Sequence, residues 1–159
     1  MEGDCQVDVY QRIKELGLAL PKVPKPLASY VPARVYRDLV FSSGQTGTVD
    51  GQLRWQGKVG REVSLEDAQA SARQSVLNCL AAIESVIGDL NRVEEVIKLT
   101  GFVASAEGFN QQPAVVEGAS KLLIDIFGDK GQHARSAIGV AGLPLSAPVE
   151  IEVIVKVNL

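Results

Sequence analysis

The chain has 159 residues, of which 46% are apolar and 22% are charged, and its formal net charge is −3. This balance is typical of one globular domain and excludes a disordered chain, and no run approaches the roughly 18 consecutive apolar residues of a membrane span. The acidic balance and the 5% aromatic content disfavour nucleic acid as a partner, because nucleic acids attract basic surfaces and stack their bases on aromatic rings.

The N-terminal segment predicts a short helix followed by an extended arm. Residues 7–16 carry apolar side chains at helical spacing, and Gly17 suits a helix C-cap. Residues 20–32 contain four prolines and are predicted to be extended and semi-rigid. We therefore predict an N-terminal helix and proline-rich arm over residues 1–28 and one domain over residues 29–159.

Hairpin signals follow the arm. Residues 34–43 are rich in strand-forming side chains around an Arg37-Asp38 turn. Residues 42–51 are rich in serine, glycine and threonine and are predicted to form a loop or bulge. This stretch ends in Asp50-Gly51, which is a hairpin-turn signal.

Two long helices and three strands are predicted for the rest of the chain. Apolar residues at helical spacing predict the two helices, and the stripe of the first helix runs from Ala68 to Val86. Strict alternation of apolar and polar residues predicts the last strand. Two long helices over one face of a sheet predict a two-layer α+β fold. The elements are a helix between Ser64 and Gly88, a strand over 93–105, a helix from near Pro113 to Gly128, and strands over 135–143 and 149–157.

The cysteines and the histidine exclude several kinds of site. Cys5 and Cys79 lie far apart and form no C-x-x-C pair, so the sequence predicts neither a zinc site nor a redox motif, and Cys79 is predicted to be a core residue. His133 is the only histidine, which excludes a multi-histidine metal site. The first five residues lack the basic start and apolar block of a signal peptide, so we expect a cytoplasmic location.

Three features are candidates for chemistry. Arg135, at the start of a predicted strand, offers a planar fork of donors for a carboxylate or phosphate, or is an ordinary surface arginine. Glu150 and Glu152 share one face of the last strand, about 6.6 Å apart, where they either divide acid and base roles or form a solvated or interface-facing surface. Residues 42–45 hold a glycine that admits a ligand close to the backbone, or form a bulge or turn.

A motif near the C-terminal end is the most specific feature of the sequence. It reads A-R-S-A-I-G-V-A-G-L-P over residues 134–144 and is followed by V-E-I-E over residues 149–152. Tyr30-Val31, Ser43-Gly44-Gln45 and Val103 precede it in order. Together these residues resemble the RidA (YjgF) family, whose members also carry the name endoribonuclease L-PSP. The N-terminal helix and arm resemble a longer subgroup of that family.

The resemblance implies a fold, an assembly and an activity. The fold is a chorismate-mutase-like α+β fold, with a mixed sheet and two long helices on one face, and the assembly is a homotrimer with ligand clefts between subunits. The activity is hydrolysis of 2-imino acids, or their enamine tautomers, to 2-oxo acids and ammonia without metal or cofactor. The alternatives are a non-catalytic protein that binds or senses small carboxylates, and an endoribonuclease or translation inhibitor.

The resemblance also implies roles for individual residues. Arg135 matches the arginine that grips the substrate carboxylate, and Glu150 matches the glutamate that positions or activates the attacking water. The remaining cleft residues are the backbone N–H of Gly44, the cleft-lining Tyr30 and Ser43, and the carbonyl of Ala137.

Three positions depart from the well-studied branch of the family. Ala137 stands where that branch often has a cysteine, Gly139 where it has a glutamate, and Pro113 approximately where it has an asparagine. We expect the Ala137 change to leave the backbone contacts intact, and the Gly139 and Pro113 changes to alter the cleft and its substrate. Because Arg135 is retained, the sequence predicts carboxylate binding more directly than it predicts deaminase activity.

Overall fold

The computed structural model describes residues 8–23, 25 and 28–159, and these residues form three α-helices and eight β-strands. The helices are α1 (Val9–Glu15), α2 (Leu65–Ile87) and α3 (Gln112–Phe127). The strands are β1 (Ala33–Tyr36), β2 (Leu39–Ser42), β3 (Gln45–Thr46), β4 (Thr48–Val49), β5 (Gln52–Leu53), β6 (Val93–Ala104), β7 (Ala134–Val140) and β8 (Val149–Val157). No described helix has the length and apolar character needed to cross a membrane.

Capping residues set the ends of the two long helices. The Ser64 hydroxyl accepts a hydrogen bond from the Asp67 N–H at 3.1 Å, which begins α2. Gly88 ends α2 with φ at 83°, in the left-handed region that favours glycine. Pro113 lies in the first turn of α3, and Gly128 follows its last residue. The predicted ends of both helices are confirmed.

The sheet has a mixed topology. Its strand order is β1-β2-β8-β6-β7, and β3 also pairs with β8. The pairing of β6 with β7 is parallel, whereas the pairs that β8 forms with β2, β3 and β6 are antiparallel. Both long helices pack on the same face of this sheet. The predicted two-layer α+β fold is therefore confirmed.

The last strand shows where the core lies. Every second residue of β8 is buried against the helices, and the residues between them are only partly buried. The helical face of the sheet is thus covered, and the opposite face, which we call the open face, is not. The five buried residues of β8 are Val149, Ile151, Val153, Val155 and Val157.

Some predicted bounds and orientations are wrong. Val86, predicted to lie in the buried stripe of α2, is 39% exposed, because the stripe continues four residues after Ile83 and buries Ile87 instead. The predicted loop over residues 42–51 contains the short strands β3 and β4. The strand predicted over residues 135–143 ends at Val140, and the chain then enters a loop in which Leu145 has φ at 57°.

The N-terminal helix packs on the domain. Val9 and Ile13 are buried in the same core as the sheet and long helices, and the Arg12 Nε donates to the Asp125 carbonyl at 2.8 Å. The predicted boundary between residues 28 and 29 stays a prediction. Pro24 and Pro26 of the predicted arm lie outside the described residues.

The structure describes one of the two cysteines, Cys79. Cys79 is fully buried in α2, as predicted, and its thiol donates to the Ile151 carbonyl at 3.1 Å. Burial raises the pKa of this thiol to about 12, so the thiol stays protonated and unreactive near neutral pH. Cys5 lies outside the described residues.

A buried amide ties the β3–β4 segment to α2. Asn78 is fully buried, and its Nδ2 donates to the carbonyl oxygens of Thr46 at 2.8 Å and Thr48 at 2.9 Å. Its Oδ1 accepts from the Gln74 Nε2 at 3.2 Å. Because β3 directly follows Gly44, this one side chain also fixes the position of the glycine loop.

We predict that Asn78→Ala destabilises the fold by about 1–3 kcal/mol, because both carbonyl oxygens lose a buried donor. Denaturant unfolding monitored by circular dichroism measures this. Asn110→Ala is the matched control, since Asn110 is exposed and its loss is expected to change the free energy of unfolding by less than about 0.5 kcal/mol. Equal stability of the two variants would contradict the role of Asn78.

Candidate functional site

The open face of the sheet combines carboxylates with exposed apolar side chains. On β8 it carries Glu150 and Glu152, which pair with Phe102 and Thr100 of β6. Side chains of directly paired residues share a face, so these four lie together. Apolar neighbours on the same face include Phe41, which is 39% exposed, Ile138, which is 42% exposed, and Ile154.

The Glu150 carboxylate lies against Gly44. A Cβ atom at position 44 would displace the Glu150 carboxylate, so the observed position of this carboxylate depends on the absence of a side chain there. Thr46, two residues further on, pairs directly with Glu150. The structure therefore brings the glycine loop and Glu150 together.

Glu150 has the electrostatics of a proton-exchanging group. It is partly buried, and its burial, followed by the nearby negative charge of Glu152, raises the pKa of its carboxyl group above the ordinary value. Carboxyl groups with such a raised pKa can take up and release a proton nearer to neutral pH than an exposed glutamate does.

The start of the glycine loop is bound to the segment that carries Tyr30. The Ser43 hydroxyl donates to the Val31 carbonyl at 2.6 Å, and the Ser43 N–H donates to the Pro32 carbonyl at 2.8 Å. Tyr30 itself is 56% exposed. Ser43 and Tyr30 thus lie in adjoining segments, and their cleft-lining roles stay predictions.

Arg135 lies on the other side of the sheet. It pairs with Leu99, a residue buried under the helices, and its side chain reaches α3, where Nη1 donates to Glu117 Oε2 at 2.8 Å and to Ser120 Oγ at 3.2 Å. Leu99 also pairs with Val153 of β8. Arg135 and Glu150 are therefore two strands apart across the sheet and three residues apart along it, about 10 Å in each direction. One chain does not bring them together.

Packing around α3 explains one of the departing positions, Gly139. A side chain at Gly139 would meet Gln112 Nε2 at 2.8 Å and Ser105 Oγ at 3.1 Å. Gln112 is held there because its Nε2 donates to Ser105 Oγ at 3.2 Å and to the Phe109 carbonyl at 2.9 Å. The room beside Gly139 is thus filled from the helix. Ala137 is partly buried and pairs with Gly101.

Sequence reasoning missed Glu117 and Ser120. The sequence pointed to Pro113 as the altered position of α3, whereas the helix residues that contact Arg135 are Glu117, one turn later, and Ser120. Glu117 and Ser120 are three residues apart and so share a helix face, which is a spacing that could have pointed to them.

The described surface has clefts along β6, two of which bear on the location of the site. A small cleft of about 90 Å³ lies beside Glu152 on the open face and is lined in part by Phe41, Lys98 and Thr100. A wider cleft of about 760 Å³ lies where β6 begins, between Asp8 and Asn158, and is remote from Glu150. The open face, where Glu150 lies against the glycine loop, is therefore the candidate site.

Comparison with known proteins gives matches over nearly the whole chain. The family described as "YjgF/chorismate mutase-like, putative endoribonuclease" matches residues 10–155. Protein TCP17 from Trypanosoma cruzi is 36% identical over 151 residues, which are 94% of each chain. A 2-iminobutanoate/2-iminopropanoate deaminase from Dermatophagoides farinae is 29% identical and covers 89% of this chain and 95% of its own.

A solved structure shares the fold. The crystal structure of Atu1372 from Agrobacterium tumefaciens, a protein of unknown function, superposes with a TM-score of 0.89 at 41% identity and covers 94% of this chain and 92% of its own. These matches confirm the resemblance carried by the C-terminal motif. The chain belongs to the RidA (YjgF) family and has its chorismate-mutase-like α+β fold.

Proposed function

We propose that the protein hydrolyses small 2-imino acids, or their enamine tautomers, to 2-oxo acids and ammonia. The observation that carries the proposal is Glu150, a partly buried carboxyl group with a raised pKa that lies against the Gly44 loop. Family membership and the deaminase among the relatives support the same reaction class. Fold alone does not decide it, because function depends on the site.

The proposed chemistry needs positioning and one acid/base group. Water adds to the imine carbon, the C=N electron pair moves to nitrogen, and Glu150 takes the proton that the water releases. Glu150 passes this proton to the nitrogen, which gives a neutral intermediate with a hydroxyl and an amino group on one carbon. Glu150 then moves the hydroxyl proton to the nitrogen, the C=O bond forms as the C–N bond breaks, and ammonia leaves the 2-oxo acid. Arg135 and the Gly44 N–H hold the carboxylate during both steps, which supplies the required orientation.

The proposal places the site between copies of the chain. Arg135 lies on the helical side of edge strand β7, and Glu150 lies on the open face of the same chain, so a second copy must supply one of them. The open face exposes Phe41 and Ile138, and exposed apolar groups around polar ones are typical of an interaction surface. We propose the homotrimer that the family resemblance implies, in which each open face meets the Arg135 edge of the next copy.

Binding of small carboxylates without turnover is the second candidate. The observation that favours it is Gln112, which fills the room beside Gly139 where the well-studied branch of the family has a glutamate. An acidic group of that branch is therefore absent. RNA cleavage is not proposed, because Glu150 and Glu152 on the open face repel phosphate groups.

We predict that the protein accelerates the decay of 2-iminobutanoate generated in situ by an amino-acid oxidase. Glu150→Gln is expected to lower kcat by about 10²–10⁴-fold with retained affinity for 2-oxobutanoate, because a proton-transfer group is lost but the carboxylate anchor is not. Arg135→Ala is expected to weaken 2-oxobutanoate binding strongly, to a dissociation constant that a titration at high ligand concentration still measures. Glu107→Gln, at an exposed position, serves as the control. Binding that depends on Arg135, without turnover of any imino acid in a panel, would establish the second candidate instead.

A second prediction tests the shared site. Arg135→Ala and Glu150→Gln chains are each expected to be inactive alone, and co-expression of the two is expected to restore activity. Random mixing leaves about one quarter of the sites with an intact arginine from one chain and an intact glutamate from its neighbour. Mixed assemblies that remain inactive, although light scattering shows that they form, would exclude a site shared in this way.

A third prediction concerns pH and stability. The folded state raises the pKa of Glu150, so ionisation of this carboxylate destabilises the fold at pH values above that raised pKa. This loss of stability vanishes below the ordinary pKa of 4.5, because Glu150 is then protonated in both the folded and the unfolded state. Glu150→Gln is therefore expected to raise Tm at pH 7.5 and to raise it less at pH 4. Thermal unfolding at both pH values measures this, with Glu107→Gln as control. A gain that is equal or larger at pH 4 would show that burial of the charge is not its cause.

A further inference from the structure

A continuous chain of hydrogen bonds runs from the Gly131 backbone to the Arg135 guanidinium. His133 Nδ1 lies 2.6 Å from the Gly131 carbonyl oxygen, and His133 Nε2 lies 2.9 Å from Ser120 Oγ. Ser120 Oγ in turn accepts from Arg135 Nη1 at 3.2 Å. We infer that Ser120 and His133 are positioning residues that hold Arg135 ready for a carboxylate ligand. The inference rests on the proposed function, in which Arg135 anchors the substrate.

The groups at the two ends of this hydrogen-bond network determine which atom donates in each hydrogen bond. A carbonyl oxygen only accepts, so His133 Nδ1 carries a proton and donates it to Gly131. In the neutral imidazole Nε2 is then an acceptor, and the Ser120 hydroxyl donates to it. The lone pairs of the Ser120 oxygen remain for Arg135 Nη1. Each donated hydrogen of this network thus has its own acceptor, and the serine hydroxyl has one orientation.

The network contacts only one nitrogen of the guanidinium. Nη1 donates to both Glu117 and Ser120, while Nε and Nη2 donate to no residue of the described ranges. Nε and Nη2 form the side-on edge that binds a carboxylate through two parallel hydrogen bonds. Ser120 is buried, whereas the Glu117 side chain is 57% exposed, so the guanidinium is held from inside and from outside with this edge left for a ligand.

The topology explains why these residues meet. Glu117 and Ser120 share one face of α3, and His133 and Arg135 are two residues apart at the start of β7, so their side chains point to the same side. Helix α3 precedes β7 and packs against it. An arginine side chain loses much rotamer freedom when it is fixed by a ligand, and a network that fixes it beforehand lowers that cost of binding.

The test measures 2-oxobutanoate dissociation constants of the full-length protein by NMR titration, with substitutions in a double-mutant cycle. Ser120→Ala is expected to raise the dissociation constant roughly tenfold, because Arg135 loses a hydrogen bond and its fixed orientation. His133→Ala leaves Ser120 and Arg135 in place and is also expected to raise the dissociation constant. In kinetics both variants are expected to raise KM more than they lower kcat. Ser85→Ala, which removes a hydroxyl that donates to Ala82 at 2.6 Å in α2, is the control and is expected to change nothing.

The double variant separates positioning from general damage to the fold. If Ser120 acts through Arg135, Ser120→Ala causes no further weakening in the Arg135→Ala background. Equal weakening in both backgrounds overturns the inference. Unchanged binding by Ser120→Ala and His133→Ala, with weakened binding by Arg135→Ala, overturns it too and leaves the proposed function intact. Unchanged binding by Arg135→Ala removes the carboxylate anchor and the proposed function with it. Should Ser120→Ala not fold, His133→Ala decides between these outcomes by itself.

Discussion

The pairing of β8 with strands on both of its sides is the constraint on which the rest of the structure depends. Side chains alternate along a strand, so a shift of one residue would exchange the two faces. The observed register buries five valine and isoleucine side chains, which together stabilise it by on the order of 10 kcal/mol. The shifted register would expose these and bury Glu150 and Glu152 beneath the helices without partners, which is costly for charged groups.

This one register also creates the chemistry of the open face. It puts Glu150 between Phe102 on one side and the β3 segment on the other, where neighbouring groups partly exclude water. The absence of a side chain at Gly44 leaves room for the carboxylate, and Asn78 holds the segment that follows it. The raised pKa is thus a by-product of core packing, and the fold carries the cost of a partly buried charge at neutral pH.

The sequence predicted the elements better than it predicted the orientation of Arg135. Apolar periodicity and capping residues identify α2, α3 and β8, because those signals lie within each element. The direction of Arg135 depends on how β7 aligns with β6, since pairing with Leu99 turns its side chain towards α3. The sequence pattern within either strand does not predict that register. The same limit applies to His133, which the sequence identified only as the single histidine, and whose partner Ser120 lies on a separate element.

The placement of Arg135 and Glu150 on different surfaces also bears on how copies associate under the proposed function. In a two-fold dimer that pairs open face with open face, Glu150 and Glu152 of one copy would approach the same two carboxylates of the other, while both Arg135 side chains stayed outside the contact. Contact of the Arg135 edge with the open face of a neighbour instead joins opposite charges. Such a contact uses two different surfaces of each copy, so it satisfies every copy only when the arrangement closes into a ring. The apolar Phe41 and Ile138 of the open face would then lie within the ring, where the absence of water strengthens the attraction of Arg135 for a bound carboxylate.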